Sequence, residues 1–340
     1  MQKARAVFLA ALVVLAVVGT GGTAAGAGLS GVDHPSANSP STTDAGDTCE
    51  FPVTVTDATG KDVTLEERPE RITTTNPSAA QTLWEIGAQD RVVGVTQFAT
   101  YLDGAEDKTN VSSDGLGVSV EQVVATEPDL VLAPNASAEQ VEDLRNAGLT
   151  VYHFPEATDV DDIAAKTERT GGLVGNCDSA ADVNTEMNET VADVKDRTAD
   201  FDRPDALYPL GGGFVAADET FINEIMEIGG TNNVAAAEGD GYPQLSDEVI
   251  LETDPELVLV TDSDAAILDE QPYASTTAGA EENYVVMDVN YLNQPAPRSV
   301  IESTETLAAG VEEFQAENTC EFPVTVTDAT GTEITLEERP

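Results

Sequence analysis

The sequence predicts an α/β fold of two lobes with parallel sheets, joined by one long helix. Residues 119–133 and 246–260 share one order of elements: a polar cap, an amphipathic helix, a proline turn and a short apolar strand. Residues 83–88 and 225–230 both read as a helix end with a glycine stop, and each precedes the capped helix of its own half. The repeated order predicts two lobes of related topology.

The charge of the chain is strongly acidic. It carries 63 Asp and Glu against 15 Lys and Arg, a formal net charge of −48. Such a chain repels nucleic acid and anionic lipid, because binding to phosphate needs clustered basic side chains. Acidic chains with few aromatic residues are often disordered. The apolar runs favour the alternative, a folded protein adapted to strong salt, where charge repulsion is screened.

The first residues have the features of a secretory signal. Residues 1–27 combine Lys3 and Arg5 with an apolar run at 6–18 and a small-residue cleavage motif. Residues 28–48 are rich in small and polar residues, which predicts a flexible acidic, Ser- and Thr-containing spacer. We therefore expect the mature protein to lie outside the cytoplasmic membrane, secreted or associated with the cell surface.

The two lobes have the same local signals. Ser119 and Ser246 are predicted to cap their helices, and Glu121 and Glu248 stand in the first turn, where negative charge is favoured. The fully apolar strands that follow are typical of parallel sheets buried on both faces. The predicted boundaries are an N-terminal lobe at 49–175, an interlobe helix at 176–203 and a C-terminal lobe at 204–317.

The connection between the lobes is predicted from apolar residues at steps of three or four from Asp178 to about Phe201. Pro204 ends this pattern. A helix of that length measures roughly 36 Å, which is enough to cross a lobe. The alternative is a helix internal to one lobe.

The sequence at 49–69 returns at 320–340 with three substitutions. Both copies alternate apolar and polar residues around Asp-Ala-Thr-Gly, which predicts a β-hairpin. One interpretation is that a second, tandem domain has been cut off after its first hairpin. The other is a terminal hairpin that packs on the first domain. The first is favoured, because an isolated hairpin is marginally stable in water.

Cysteines and histidines are few. Cys49, Cys177 and Cys320 form no CxxC pair, and His34 and His153 are too few for a histidine-rich metal site. An extracytoplasmic location would permit one disulfide, and the sequence leaves its pairing open. Neither a phosphate-binding loop nor a nucleophile with its base can be recognised. We expect a protein that is not an enzyme and holds no cofactor or metal of its own.

Several segments together resemble a known family. They are the hairpin at 51–72, the loop at 76–87, the strand at 91–96, SVEQVVATEPDLVLAPN at 119–135 and GYPQLSDEVILETDPELVLV at 241–260. They resemble the iron-siderophore/cobalamin class of periplasmic binding proteins, and most of all its cobalamin-binding branch in a halophilic archaeal style. The resemblance covers residues 51 to about 316. It implies a monomeric class III solute-binding protein with two Rossmann-like lobes, one long interlobe helix and a ligand in the cleft.

The resemblance also implies a partner, an ABC importer with a permease dimer and a cytoplasmic ATPase. In this class one surface glutamate of each lobe docks onto permease arginines, and the matching residues here are Glu121 and Glu248. The alternative interpretation is that both glutamates merely favour their helix N-termini.

Candidate ligand contacts follow from the loops at the carboxyl ends of the strands, where open α/β sheets bind ligands. Aromatic rings among them would bury the wide, partly apolar face of a corrin or siderophore. The candidates are Asn76, Pro77, Ser78, Tyr101 and Asn135 in the first lobe and Phe214, Tyr242, Gln244, Asn290, Tyr291 and Gln294 in the second, with Phe98 and Pro134 beside them. For each aromatic residue the alternative is core packing.

The ligand is predicted from departures from the family pattern. Tyr242 and Tyr291 stand where the cobalamin-binding relative has tryptophans, and Asn290 and Gln294 stand where it has charged residues. Polar, uncharged replacements suit a neutral ligand, and cobalamin or a related corrinoid is therefore expected. The alternative is a ferric siderophore or haem.

Overall fold

The computed structural model describes residues 49–115, 117–261, 265–318, 324–327 and 333–336. Cys320 lies outside this set. The predicted signal peptide and the predicted spacer also lie outside it and stay predictions. No helix within the described residues is both long and apolar enough to cross a membrane.

The N-terminal lobe alternates strands and helices. Its elements are β1 (Val53–Thr56), β2 (Asp62–Leu65), β3 (Ile72–Thr74), α1 (Pro77–Glu85), β4 (Val92–Val95), β5 (Thr109–Asn110), α2 (Val120–Ala125), β6 (Leu130–Ala133), α3 (Ala138–Asn146) and β7 (Val151–His153). β1 and β2 form an antiparallel hairpin, and the other five strands form a parallel sheet in the order β5-β4-β3-β6-β7. Alternate residues of β6 enter two separate cores, one on each face of the sheet.

Two helices connect the lobes, α4 (Val160–Val174) and α5 (Cys177–Thr198). α5 confirms the predicted helix: Ala180 near its start packs in the core of the N-terminal lobe, and Met187 packs in that of the C-terminal lobe. α4 crosses in the opposite direction, from Val160 in the C-terminal core to Leu173 in the N-terminal core. The first turns of α4 therefore pack with the C-terminal lobe, although the predicted boundary at residue 175 places them in the N-terminal lobe.

The C-terminal lobe repeats the alternation. Its elements are β8 (Asp205–Leu207), β9 (Pro209–Gly211), β10 (Phe214–Val215), α6 (Phe221–Ile228), β11 (Asn232–Asn233), α7 (Asp247–Thr253), β12 (Leu257–Val260), α8 (Thr277–Glu281), β13 (Tyr284–Val286), α9 (Val289–Leu292) and α10 (Pro297–Asn318). A parallel sheet has the order β11-β8-β12-β13, and β12 divides its side chains between two cores as β6 does. The predicted pair of α/β lobes with parallel sheets is confirmed.

The repeated capped helix is present in both lobes. The hydroxyls of Ser119 and Ser246 each accept a hydrogen bond from the backbone N–H three residues later, at 3.4 Å in both cases. Each helix is followed by a non-glycine residue with positive φ, Glu127 at 47° and Asp254 at 40°. These residues turn the chain sharply into the next buried strand, and the match extends the sequence repeat to backbone conformation.

The glycine stops are Schellman motifs. Gly87 has φ 72° and Gly230 has φ 93°, the left-handed conformation that ends a helix. The next residue in each case donates its backbone N–H to a carbonyl in the last helical turn, that of Leu83 at 2.7 Å and that of Met226 at 3.0 Å. Glycine is favoured at these positions because a side chain is strained at this φ.

The disulfide, whose pairing the sequence left open, joins Cys49 to Cys177. It links the residues just before the β1–β2 hairpin to the first residue of α5. In the second copy of that sequence, the strands β14 (Val324–Thr327) and β15 (Glu333–Leu336) pair antiparallel. Their register, Val324 opposite Leu336, matches that of Val53 opposite Leu65.

Candidate functional site

The candidate site lies where the carboxyl ends of the parallel strands of both lobes carry their loops. In the N-terminal lobe Asn76 follows β3, Tyr101 follows β4 and Asn135 follows β6. In the C-terminal lobe Tyr242 lies in the loop before α7, and Tyr291 lies in α9, just after β13. This placement agrees with the general position of ligand sites in open α/β sheets.

The start of α1 is occupied by internal hydrogen bonds. The side chain of Asn76 caps the helix by accepting from the backbone N–H of Ser78 at 2.9 Å. Ser78 is only 1% exposed, and its hydroxyl accepts a hydrogen bond from the ammonium of Lys166 at 2.9 Å. Pro77 is also buried. The side chains of Pro77 and Ser78 therefore pack inside the protein in this structure, and Asn76 is left half-buried at the surface.

Tyr101 and Tyr291 meet between the lobes. Their rings pack edge to face with centroids 6.1 Å apart. The Tyr101 hydroxyl donates to Oε1 of Gln81 at 2.8 Å, and Ser299 of α10 donates to the same oxygen at 3.2 Å. Burial raises the pKa of Tyr101 well above its ordinary value, so its hydroxyl remains a neutral donor. The structure thus brings together two predicted site residues that are 190 positions apart.

Tyr242 packs against the core of the C-terminal lobe with part of its surface exposed. Burial raises its pKa, and the nearby Glu156 and Tyr208 raise it further. Tyr208 donates its hydroxyl to Asn293 at 2.9 Å, and burial raises its pKa to about 12. Because Glu156 follows β7 of the N-terminal lobe, Tyr242 also lies near both lobes. It offers a neutral aromatic surface beside a carboxylate.

Phe214 and Gln244 lie side by side. An isolated antiparallel bridge pairs the two residues, and the Gln244 amide donates to the carbonyl of Gly212 at 2.6 Å. The ring of Phe214 is 41% exposed. Three consecutive glycines with positive φ, 211–213, end β9 and form the turn into β10 that presents this ring.

The remaining candidates lie at the surface of the same loops. Asn290 and Gln294 are half-buried at the two ends of α9, and Asn135 is exposed directly after the buried Pro134. Phe98 is exposed in the loop that follows β4. All of these are compatible with the predicted ligand contacts, which stay predictions.

The charged groups around the aromatic residues are mostly acidic. Asp288, Glu302 and Glu85 lie close enough to raise the pKa of Tyr291, whose partial burial is the largest cause of that shift. Arg298 is engaged by carboxylates, at 3.4 Å from Glu186 and 3.9 Å from each of Glu85 and Glu302. A neutral or cationic ligand fits this field better than an anion.

The sequence analysis did not predict the buried residues whose hydrogen bonds connect the elements of the site. Lys166 is buried in α4 and donates to both Ser78 and the carbonyl of Pro295, at 2.9 and 2.8 Å, so it ties α1 and the loop before α10 to α4. A signal was available, because Lys166 shares the buried face of α4 with Ile163, Thr167 and Thr170. Gln81 and Asn293 gave no such signal.

The predicted docking glutamates, Glu121 and Glu248, are both exposed in the first turns of α2 and α7. They occupy equivalent positions, two residues after the capping serines. The geometry is compatible with a partner that touches both lobes.

Comparison with known proteins gives three kinds of match. The family model described as periplasmic binding protein matches residues 72–291. A cobalamin-binding protein of Halobacterium salinarum is 46% identical over 272 residues, 76% of this chain and 73% of the relative. An uncharacterised ABC transporter substrate-binding lipoprotein of Bacillus subtilis is 30% identical, covering 78% of this chain and 84% of its own length.

Solved structures agree with the fold. The periplasmic vitamin B12-binding protein of Vibrio cholerae superposes with a TM-score of 0.63 at 22% identity, covering 73% of this chain and 98% of that one. The periplasmic haem-binding protein of Roseiflexus sp. RS-1 gives 0.64 at 21% identity, covering 71% and 99%. At these identities the two matches establish the architecture of the chain.

Proposed function

The chain belongs to the periplasmic binding protein family, and from this we propose that it captures cobalamin or a related corrinoid outside the cytoplasm and delivers it to an ABC importer. Proteins of this family are extracytoplasmic components that supply ligand to a permease, and the relatives found are binding proteins rather than enzymes. The observation that supports a corrinoid ligand is the 46% identity to a relative named cobalamin-binding protein.

The site chemistry supports a neutral ligand with a wide face. Tyr242 and Phe214 offer partly exposed aromatic rings, and Gln244 adds an uncharged amide. The nearby cations Arg298 and Lys166 are engaged by protein groups. Haem, which carries two propionates, or an anionic ferric siderophore would lack a free cationic partner among these residues. We infer that the protein acts as a monomer and needs no cofactor or metal of its own.

A binding titration tests the ligand. Cyanocobalamin, haem and ferrichrome are titrated separately into the full protein in high salt, with heat as the readout. We expect cyanocobalamin to bind at micromolar concentration or below. Tyr242→Ala should weaken that binding at least tenfold, because the ring loses its contact with the corrin face, whereas Tyr242→Phe should keep it. Absence of cyanocobalamin binding, with haem or ferrichrome bound instead, would replace the corrinoid by the alternative ligand.

An uptake measurement tests the delivery step. Glu121 and Glu248 are proposed to contact permease arginines directly, because strong salt screens attraction at longer distance. In cells where the variant replaces the native gene, Glu121→Ala with Glu248→Ala should abolish uptake of labelled cyanocobalamin and leave its affinity unchanged. The matched control is Glu139→Ala with Glu270→Ala, two exposed carboxylates outside α2 and α7. Normal uptake by the first double variant would refute the docking role.

A further inference from the structure

Two aliphatic side chains are exposed at equivalent positions of the two lobes. Val124 in α2 is 39% exposed and Leu251 in α7 is 42% exposed. Each lies five residues after its capping serine and three residues after Glu121 or Glu248. In a helix, residues three apart share one face, so each aliphatic side chain neighbours the glutamate of its own lobe.

The duplication is what makes these residues informative, because single exposed apolar residues are common and need no explanation. The other exposed positions of the two helices differ in chemical type, since Ala125 corresponds to Glu252. The pair of a glutamate and an aliphatic residue is kept in both lobes. Packing within the protein does not require it, because the adjacent residues, Val123 and Ile250, supply the core contact of each helix.

The environment of both aliphatic residues is acidic. Exposed carboxylates follow each of them and predominate, Glu127 and Asp129 after Val124, and Glu252 and Asp254 after Leu251. One exposed cation lies beside the first group, since Arg71 donates to the backbone carbonyls of Thr126 and Glu127. A complementary partner is therefore basic, with apolar surface beside the basic groups, and it presents this combination twice. A dimeric permease, which has two equivalent halves, meets that description.

We propose that Val124 and Leu251 bury against the permease, one on each half, beside the contacts of Glu121 and Glu248. This inference rests on the proposed function of delivery to an importer. Its physical reason is that salt weakens ion pairs between exposed groups, whereas burial of apolar surface is not weakened by screening. For an acidic protein adapted to strong salt, the aliphatic contact would supply affinity that the ion pairs lose.

The test compares two double variants in cells where each replaces the native gene. Val124→Ser with Leu251→Ser should lower the initial rate of cyanocobalamin uptake at least tenfold. Its affinity for the ligand and its melting temperature should match those of the wild type. Val286→Ser with Tyr284→Ser is the matched control, since both residues are exposed and apolar in β13, outside α2 and α7, and uptake should be unchanged.

A conservative exchange separates burial from a merely structural effect. Val124→Leu with Leu251→Val keeps both apolar surfaces and should keep uptake within twofold of the wild type. Uptake within twofold of the wild type by the double serine variant would overturn the proposal. If the wild type binds haem or ferrichrome instead of cyanocobalamin, the corrinoid assignment fails. The docking surface is then tested by measuring uptake of the ligand that binds, with the same variants.

Discussion

Replacement of Lys166 by methionine should change how the stability of the protein depends on pH. The lysine is buried in α4, and its ammonium donates to Ser78 and to the carbonyl of Pro295. Burial lowers its pKa from 10.5 to about 7. Methionine keeps a similar apolar stem and removes the ionisable group, so a comparison of the two proteins isolates the effect of this one titration.

The magnitude follows from the two pKa values. In the unfolded chain the lysine titrates near 10.5, so between about pH 7 and pH 10.5 the unfolded state binds more protons than the folded state. Stability therefore rises with pH across this window, and the full cost of burying the charge is present below pH 7. The shift corresponds to about 5 kcal/mol, and from pH 6.5 to pH 9.5 the cost falls by about 3 kcal/mol.

Denaturant unfolding at pH 6.5, 8.0 and 9.5 in constant salt measures this effect. The stability of Lys166→Met minus that of the wild type should decrease by about 3 kcal/mol across the series. Loss of two hydrogen bonds adds an offset of about 1 to 3 kcal/mol that does not vary with pH. Ser78→Ala is the control, because it removes one acceptor and keeps the lysine, so its pH dependence should follow that of the wild type. Parallel curves for Lys166→Met and the wild type would refute the reasoning.

Two further changes test other parts of the joint between the lobes. Burial raises the pKa of Glu85 from 4.5 to about 7, so the folded state holds the extra proton and stability falls as pH rises through that window. Glu85→Gln should therefore gain up to about 3 kcal/mol at pH 8 in denaturant unfolding. A gain of equal size at pH 4.5 would contradict this. Cys49→Ala with Cys177→Ala opens a link across 128 positions and should cost about 5 kcal/mol. An unfolding midpoint that does not move would show that the disulfide is not needed.

The features predictable from the sequence were those with local causes. A serine cap, a proline turn and a four-residue apolar strand each depend on neighbours within a few positions, and together they predicted the 119–133 and 246–260 repeats. The glycine stops at Gly87 and Gly230 are of the same kind. The parallel sheets then followed, because fully apolar short strands suit no other arrangement as well.

The features that could not be predicted depend on contacts between distant parts of the chain. The contact of Tyr101 with Tyr291 is decided by the packing of α9 and α10 beside α1, and no local pattern encodes it. The crossing of α4 from one lobe to the other could not be predicted for a similar reason. The pattern of apolar residues along α4 is the same whether the helix packs on one lobe or on two. The pairing of Cys49 with Cys177 likewise depends on the packing of segments 128 positions apart.

The disulfide also decides where a mechanical load would enter the protein. A pull on the chain before Cys49 is carried by the covalent bond to Cys177. The force then passes into the first turn of α5, a 22-residue helix, and bypasses the short β1–β2 hairpin. A pull at the amino end would thus act on the start of α5, in the N-terminal lobe, without separating the first strands.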